Sequence, residues 1–305
     1  MTAMQRIPFL KMHGCGNDYV YIDAISNPVS YDLPRLAINV SDRHRSIGGD
    51  GLVVMLPSAT PTAAARMRMF NADGSEGSLC GNALRCMALW LHQTNRAGTS
   101  FQIEMGSRLI DVTIIASNSD AGSGIVRVRI GKPIALNPDE PSRAQYVKYV
   151  AQNDLTHSAA GVEFIKLPDL VSDVRHVSMG NPHTILFVRS LEACDVTGLG
   201  PKLECHPLFP DRTNVEFAEI VGPSTLRVRV WERGSGETLA CGSGACAAVV
   251  AGLQAVLVQP NHDDRGVRVQ MPGGELNVIW QDDDTVSLEG PAEIVFEGYV
   301  KVPAV

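Results

Sequence analysis

Residues 232–246 read "ERGSGETLACGSGAC", and residues 71–86 read "NADGSEGSLCGNALRC". Aligned on Cys241 and Cys80, both give a glutamate among small polar residues, then Cys, Gly and Ser or Asn, then an apolar run. The runs are "ACAAVVAGLQAVL" and "ALRCMALWLHQ". Apolar residues recur through about three turns of each with little charge, the pattern of a helix buried on most sides. Alternating segments precede them, "LRVRVWE" before one and "ARMRMFN" before the other, and alternation of this kind marks strands. The pattern of strand, glycine-rich turn, cysteine and buried helix therefore occurs twice.

Further strand-like segments follow each helix: "FQIEM", "LIDVTII" and "IVRVRIG" after the first, and "VRVQM", "ELNVIW" and "TVSLEG" after the second. Short alternating strands joined by turns favour antiparallel or mixed sheets over βαβ winding. The expected fold is α+β, in two similar halves, each wrapping mixed or antiparallel strands around one central helix. The start of each helix would then point at a common cleft. A length of 305 residues suits two domains at about 150 residues each. The Pro-rich stretch "GKPIALNPDEP" at 131–141 is the candidate boundary. The expected halves are residues 1–132, joined by a returning strand 288–305, and residues 133–287.

A chain that is 45% hydrophobic and 19% charged can bury ordinary cores. A net charge of −7 without a Lys/Arg run argues against nucleic-acid binding. From Thr238 to His262 no Asp, Glu, Lys or Arg occurs. Length alone would allow a membrane span, but Gly, Ser, Cys and Gln dilute the apolarity, and a buried helix is expected instead. The first residues lack an apolar core behind a basic segment, so no signal peptide is expected and the protein is placed in the cytoplasm. Seven cysteines, an odd number, do not suggest a disulfide framework. Zinc is not expected either, because no C-x-x-C or H-E-x-x-H occurs.

A helix N-terminus offers free N–H donors and partial positive charge, and it lowers the pKa of a thiol placed there. Three uses of Cys80 and Cys241 compete. A nucleophilic cysteine would need a base such as His13, His44 or His183, and the duplicate would then have no purpose. A phosphate loop would need the G-x-x-x-x-G-K-[ST] pattern, which is absent. An acid–base pair needs two thiols, one taking a proton from carbon and the other returning one to the opposite face. Only this last use explains why there are two. The structural alternative is that both cysteines merely pack.

The chain resembles the diaminopimelate epimerase family. The resemblance rests on "FLKMHGCGNDYVYID" (9–23), "MFNADGSEGSLCGNALRCMA" (69–88), "SMGNPH" (178–183), "RTNVEFAEI" (212–220), "VWERGSGETLACGSGACAA" (230–248) and "MPGGELNVIW" (271–280). It implies two pseudo-symmetric halves with the cysteines facing across a cleft. It also implies cofactor-independent conversion of LL-diaminopimelate to the meso form, which feeds lysine and peptidoglycan synthesis, and a homodimer. Cys241 corresponds to the base in that direction and Cys80 to the acid. By motif, Asn17, Asn71, Asn181 and Asn214 match substrate-binding asparagines, and Glu232 with Arg233 matches the family's Glu-Arg pair. Gly81 with Asn82 and Gly242 with Ser243 match the backbone donors beside each sulfur, and His183 and Glu232 match residues that tune the thiols. Arginine suits a bidentate carboxylate contact.

Three positions depart from the pattern. Gly51 stands where many relatives carry a substrate-contacting Gln, Ala83 stands where Gly is usual, and Cys15 replaces an apolar residue. Residues 141–175 match least and read as a long loop. The rivals are a proline or hydroxyproline epimerase, which "MHGCGND" and "ERGSGET" disfavour, and a non-enzymatic binding relative, for which a thiol pair has no use.

Overall fold

The computed structural model describes residues 4–77, 80–134, 170–207 and 209–303. The chain divides into two compact units, Met1–Arg129 with Glu289–Val305, and Ile130–Leu288. The first contains β1 (Met4–Gly14), β2 (Asn17–Asp23), α1 (Leu33–Ser41), β3 (Gly51–Leu56), β4 (Ala63–Asn71), α2 (Gly81–Gln93), β5 (Ser100–Met105), β6 (Arg108–Asn118) and most of β7 (Ser123–Gly131). The second contains β8 (Val171–Ser178), β9 (Pro182–Val188), α3 (Val196–Glu204), β10 (Asn214–Gly222), β11 (Thr225–Glu232), β12 (Gly236–Thr238), α4 (Gly242–Gln254), β13 (Val267–Met271) and β14 (Gly274–Trp280). The final strand, β15 (Val286–Pro303), starts in the second unit and runs on into the first.

The duplication seen in the sequence extends to strand pairing. In the first unit β1–β2 and β3–β4 are antiparallel, while β2–β3 and β4–β5 are parallel. In the second, β8–β9 and β10–β11 are antiparallel, while β9–β10 and β11–β13 are parallel. Each parallel pair is bridged by a segment that carries a helix. The sheets are therefore mixed, as expected, but they contain helical crossovers that strand alternation alone did not suggest. In the first unit β15 lies beside both β7 and β1, so the strands form a ring. Its register with β1 runs from Met4↔Pro303 to His13↔Glu293.

Both faces of the central strands are covered. Val20 and Ile22 of β2 pack in one apolar cluster with Leu36, Ala37 and Val40 of α1, Leu52 and Val54 of β3, and Phe70. Tyr21 points the other way, and its hydroxyl donates to the Ala83 carbonyl of α2 at 3.4 Å. Burial on two faces is why β2 and β3 read as continuous apolar runs rather than alternating ones. In the second unit Val215 and Phe217 of β10 pack with Val196 and Leu203 of α3. The intervening residues of β10 face α4. Helices α2 and α4 are buried along most of their length, including Leu84, Met87 and Leu91 in one and Ala245 through Gly252 in the other. The uncharged stretch 238–262 thus supplies a core helix, and among the described residues no helix is long and apolar enough to cross a membrane.

Of the loop expected over 141–175, residues 141–169 lie outside the described residues. From Val171 the expectation fails: "VSDVRHVS" is strand β8, its edge hydrogen-bonded to β9.

Gly51 pairs with Asn71 in the β3–β4 ladder. A Cβ there would stand 2.0 Å from the Phe70 carbonyl oxygen and 2.9 Å from the Tyr19 ring. Any side chain at this position forces the backbone apart. Gly51→Ala should lower stability by about 1–3 kcal/mol, an overpacking cost, read as a melting temperature several degrees below wild type. Gly98→Ala, whose Cβ meets nothing within 4 Å, should leave it nearly unchanged. Equal melting temperatures for the two variants would contradict the packing.

Candidate active site

Cys80 is the N-cap of α2, with extended φ −138° and ψ 109°. N-caps are ordinarily Ser, Thr, Asp or Asn, whose oxygen accepts from an amide of the first turn. Here the Cys80 sulfur takes that place, accepting from the Ala83 amide at 3.4 Å. Ala83 is a fully buried helix residue, and its side chain is accommodated without disturbing that contact. The sulfur also lies 3.5 Å from Asn17 Oδ1. That oxygen accepts from Asn82 Nδ2 at 3.2 Å, and Asn82 Oδ1 accepts from Arg85 at 2.7 Å. Arg85 is fully buried, and its Nε donates to the Pro291 carbonyl. From the other side Asn17 Nδ2 donates to Asp50 at 2.6 Å, and Asp50 is tied to Arg43, as is Asp18. Lys11, buried, completes this group against Asp18 at 2.5 Å. Asn17 and Asn82 are thus held in place around the sulfur by buried or paired charges.

Asn71 closes the turn that leads toward α2. Its Nδ2 donates to Ser75 Oγ at 2.9 Å, and its amide donates to the Ser75 carbonyl at 2.8 Å. Gly74 takes φ +86° in that turn, a conformation open to glycine.

Cys241 is the N-cap of α4, at φ −120° and ψ 111°, nearly the backbone of Cys80. It is buried. Its thiol lies 3.5 Å from Ser243 Oγ. Burial pushes the thiol pKa well above its usual value, and the carboxylates Glu232 and Glu216 add to the rise, while Ser243 and the Gly244 amide oppose it. Glu232 is also raised, first by desolvation, against hydrogen bonds from Thr238 and Cys241. Glu232 sits at the end of β11, and its carboxylate accepts from the Thr238 hydroxyl across the β11–β12 hairpin.

His183 and Glu216 form a pair whose side chains are both 0% exposed, with Nδ1 and Oε1 2.6 Å apart. His183 Nε2 meets Asn181 Oδ1 at 3.0 Å, and Asn181 Nδ2 donates to Ser243 Oγ at 3.4 Å. Asn214, buried, spends its amide on the backbone, accepting from Arg233 N at 2.9 Å and donating to the Pro182 carbonyl at 2.9 Å. The Arg233 side chain donates to the Asp211 carbonyl at 2.8 Å. The buried Glu204 braces the same turn through Arg212, Trp231 and Gly234.

Within the second unit the structure therefore gathers Asn181, His183, Glu232, Cys241 and Ser243 around one sulfur, and Asn214 holds the Arg233 turn beside them. Within the first, Asn17, Gly81 and Asn82 surround the other sulfur, while Asn71 shapes the turn before it. Sequence reasoning did not single out Glu216, Arg85, Asp50 or Glu204. The signal for Glu216 was present: a carboxylate between Val215 and Phe217 in a strand with both faces covered has nowhere to go but inward. Among the described residues no group of three or more His, Cys, Asp or Glu is placed to hold a metal.

The model of the family described as diaminopimelate epimerase matches residues 9–136 and 175–295. The chain is 43% identical to the diaminopimelate epimerase of Carboxydothermus hydrogenoformans, over 95% of this chain and 98% of the relative. It is 40% identical to that of Halothermothrix orenii over 97% and 98%, and 38% identical to that of Methanococcus maripaludis over 96% and 99%. Among solved structures, a PhzF-family phenazine biosynthesis protein of Bacillus anthracis aligns with a TM-score of 0.69 at 15% identity, covering 98% of this chain and all of the other. A hydroxyproline epimerase of Agrobacterium vitis aligns at 0.66 and 14%, covering 100% and 95%. Those structures share the fold, and the sequence matches carry the kinship further: the chain belongs to the diaminopimelate epimerase family.

Proposed function

We propose that the protein interconverts LL-2,6-diaminopimelate and meso-diaminopimelate without a cofactor, using Cys80 and Cys241 as an acid–base pair, and so serves lysine and peptidoglycan synthesis. One observation carries the reading: two cysteines occupy the same N-cap, with nearly the same backbone angles, in two units of matching strand order. A packing role gives no reason for that coincidence.

In the LL-to-meso direction the Cys241 thiolate removes the α-proton from one face of the carbon, and the Cys80 thiol delivers a proton to the other. The stereocentre inverts, Cys241 having gained the substrate's α-proton and Cys80 having given up its own, and the reverse reaction exchanges their roles. Charge that builds up on the substrate carboxylate as the proton leaves is met by the free amides at the two helix starts, Gly81 with Asn82 and Gly242 with Ser243. Arg233 and the asparagines Asn17, Asn71, Asn181 and Asn214 are the groups for the distal carboxylate and ammonium. Gly51 offers no side chain to this task. The assembly that goes with the reading is a cytoplasmic homodimer.

Purified protein without added cofactor should epimerise LL-diaminopimelate and leave L-proline untouched. Cys80→Ala and Cys241→Ala should each reduce epimerisation at least 10³-fold, within the range that general acid–base groups contribute, about 10²–10⁴ each. Full activity in either variant would overturn the two-thiol reading.

The pH dependence follows from burial. Cys241 must lose its proton to act as base, and its pKa is raised. Below that pKa the thiolate fraction climbs about tenfold per pH unit. The kcat/KM for LL-diaminopimelate should therefore rise from pH 6 through pH 8. A profile that falls over this range would contradict Cys241 as the base.

A further inference from the structure

Glu204 is the last residue of α3 and is buried. It lies outside every motif that carries the resemblance, and no step of the proposed reaction uses it. Both of its carboxylate oxygens are occupied. Oε1 accepts from Arg212 and from the Gly234 amide at 2.7 Å, and Oε2 accepts from the Trp231 indole at 2.8 Å. Its own carbonyl accepts from the Thr213 amide at 3.2 Å. The end of α3 therefore holds two segments at once: residues 212–213, which lead into β10, and the end of β11 with the turn after it.

Arg233 sits between these holds. Trp231 and Gly234, on either side of it in the chain, are both bound to Glu204. Its amide donates to Asn214 Oδ1 at 2.9 Å. Its exposed side chain donates through Nη1 to the Asp211 carbonyl at 2.8 Å, in the segment that Glu204 holds through Arg212. The local backbone needs such a brace. Arg212 stands at φ +60°, in the left-handed region that residues other than glycine rarely enter, and Gly234 stands at +82°. Trp231 is pressed against α3, where a Cβ on Gly200 would stand 2.5 Å from its Cγ. A long exposed side chain gives up rotamer freedom when it binds a ligand, and one already fixed by its turn gives up less.

We propose that Glu204 is a positioning residue for the distal end of the substrate: by gripping the chain on both sides of Arg233, it presents the guanidinium already placed for the carboxylate of the non-reacting centre. This rests on the reading of Arg233 as a distal contact. Glutamine cannot do the same work, although it has the same size. The partners of residue 204 are a guanidinium, an indole N–H and a backbone N–H, and all of them only donate. A carboxylate turns an accepting oxygen to each side. Glutamine must turn its NH2 either to Trp231 or to Arg212 and Gly234, so one side of the grip always opens.

The test is steady-state epimerisation of LL-diaminopimelate by wild type, Glu204→Gln, Arg233→Ala and the double variant. The distal centre does not react, so contacts to it are alike in the ground and transition states, and their loss appears in KM. Glu204→Gln should raise KM about tenfold and leave kcat within about twofold. A brace that served stability alone would give the opposite split: loss of folded enzyme lowers the apparent kcat and leaves KM where it was. Arg233→Ala should raise KM at least as much, and adding Glu204→Gln to it should raise KM no further, because Glu204 acts through that side chain. An unchanged KM in Glu204→Gln, whatever kcat does, or effects of the two substitutions that multiply in full, overturns the proposal. If Glu204→Gln fails to fold by circular dichroism, Trp231→Phe decides, since it removes the indole donor and keeps a ring against α3. Its KM should rise about threefold, and an unchanged KM overturns the proposal. Failure of the underlying reading looks different. A wild type that does not epimerise LL-diaminopimelate removes the proposed function, and an unchanged KM in Arg233→Ala removes Arg233 as a distal contact. An active wild type and a raised KM in Arg233→Ala, with an unchanged KM in Glu204→Gln, remove the role of Glu204 alone.

Discussion

A helix buried on nearly every side cannot roll or slide, and the residue that caps its N-terminus is a fixed point in space. Both units of this protein are built around such a helix, and in both the cap is a cysteine. Apolar packing along α2 and α4 thus does two jobs. It stabilises each unit, and it delivers a sulfur to a place where amide N–H groups converge and the helix dipole favours negative charge. The strands wrap the helices because both faces of the central ones must be covered, α1 or α3 on one side and the core helix on the other.

The two sulfurs are embedded differently. Cys80 is half-buried among neutral amides, Asn17 and Asn82, which are themselves anchored by the charges of Asp50 and Arg85. Cys241 is buried, and burial together with the nearby carboxylates of Glu232 and Glu216 favours its protonated form. A reaction that takes a proton on one side and gives it on the other has use for such inequality, since the two thiols must differ in protonation at each moment. Burial of Cys241 makes the thiolate costly, and the Ser243 hydroxyl and the Gly244 amide oppose that cost.

The duplicated glycine-rich Cys-Gly segment made the helix starts, the paired cysteines and the α+β class legible, because each depends on local pattern: alternation, helical period and the conformational freedom of glycine. The helical crossovers β2–α1–β3 and β9–α3–β10 were not legible, because parallel pairing is decided by contacts distant in sequence. The strand at Val171–Ser178 was hidden for a related reason: as an edge strand beside β9 it is only partly buried and reads as polar. Asn17, Asn82, Asn181 and Ser243 stand out through motif resemblance alone, and in the fold they hydrogen-bond beside the two sulfurs. Glu216 and Arg85 stood inside quoted motifs yet went unremarked, since their importance lies in being buried charges and burial at a given residue is a property of the folded chain. At Gly51 the fold adds a constraint the sequence does not show, a Phe70 carbonyl occupying the space of a Cβ.

If each thiol works on one face only, the reaction run from LL-diaminopimelate in deuterium oxide and stopped early should show it. The first meso product should carry solvent deuterium at the inverted carbon while the remaining LL substrate keeps its hydrogen, because the proton removed by one thiol is not the one delivered by the other. Early meso product that retains the substrate's own α-hydrogen would contradict it.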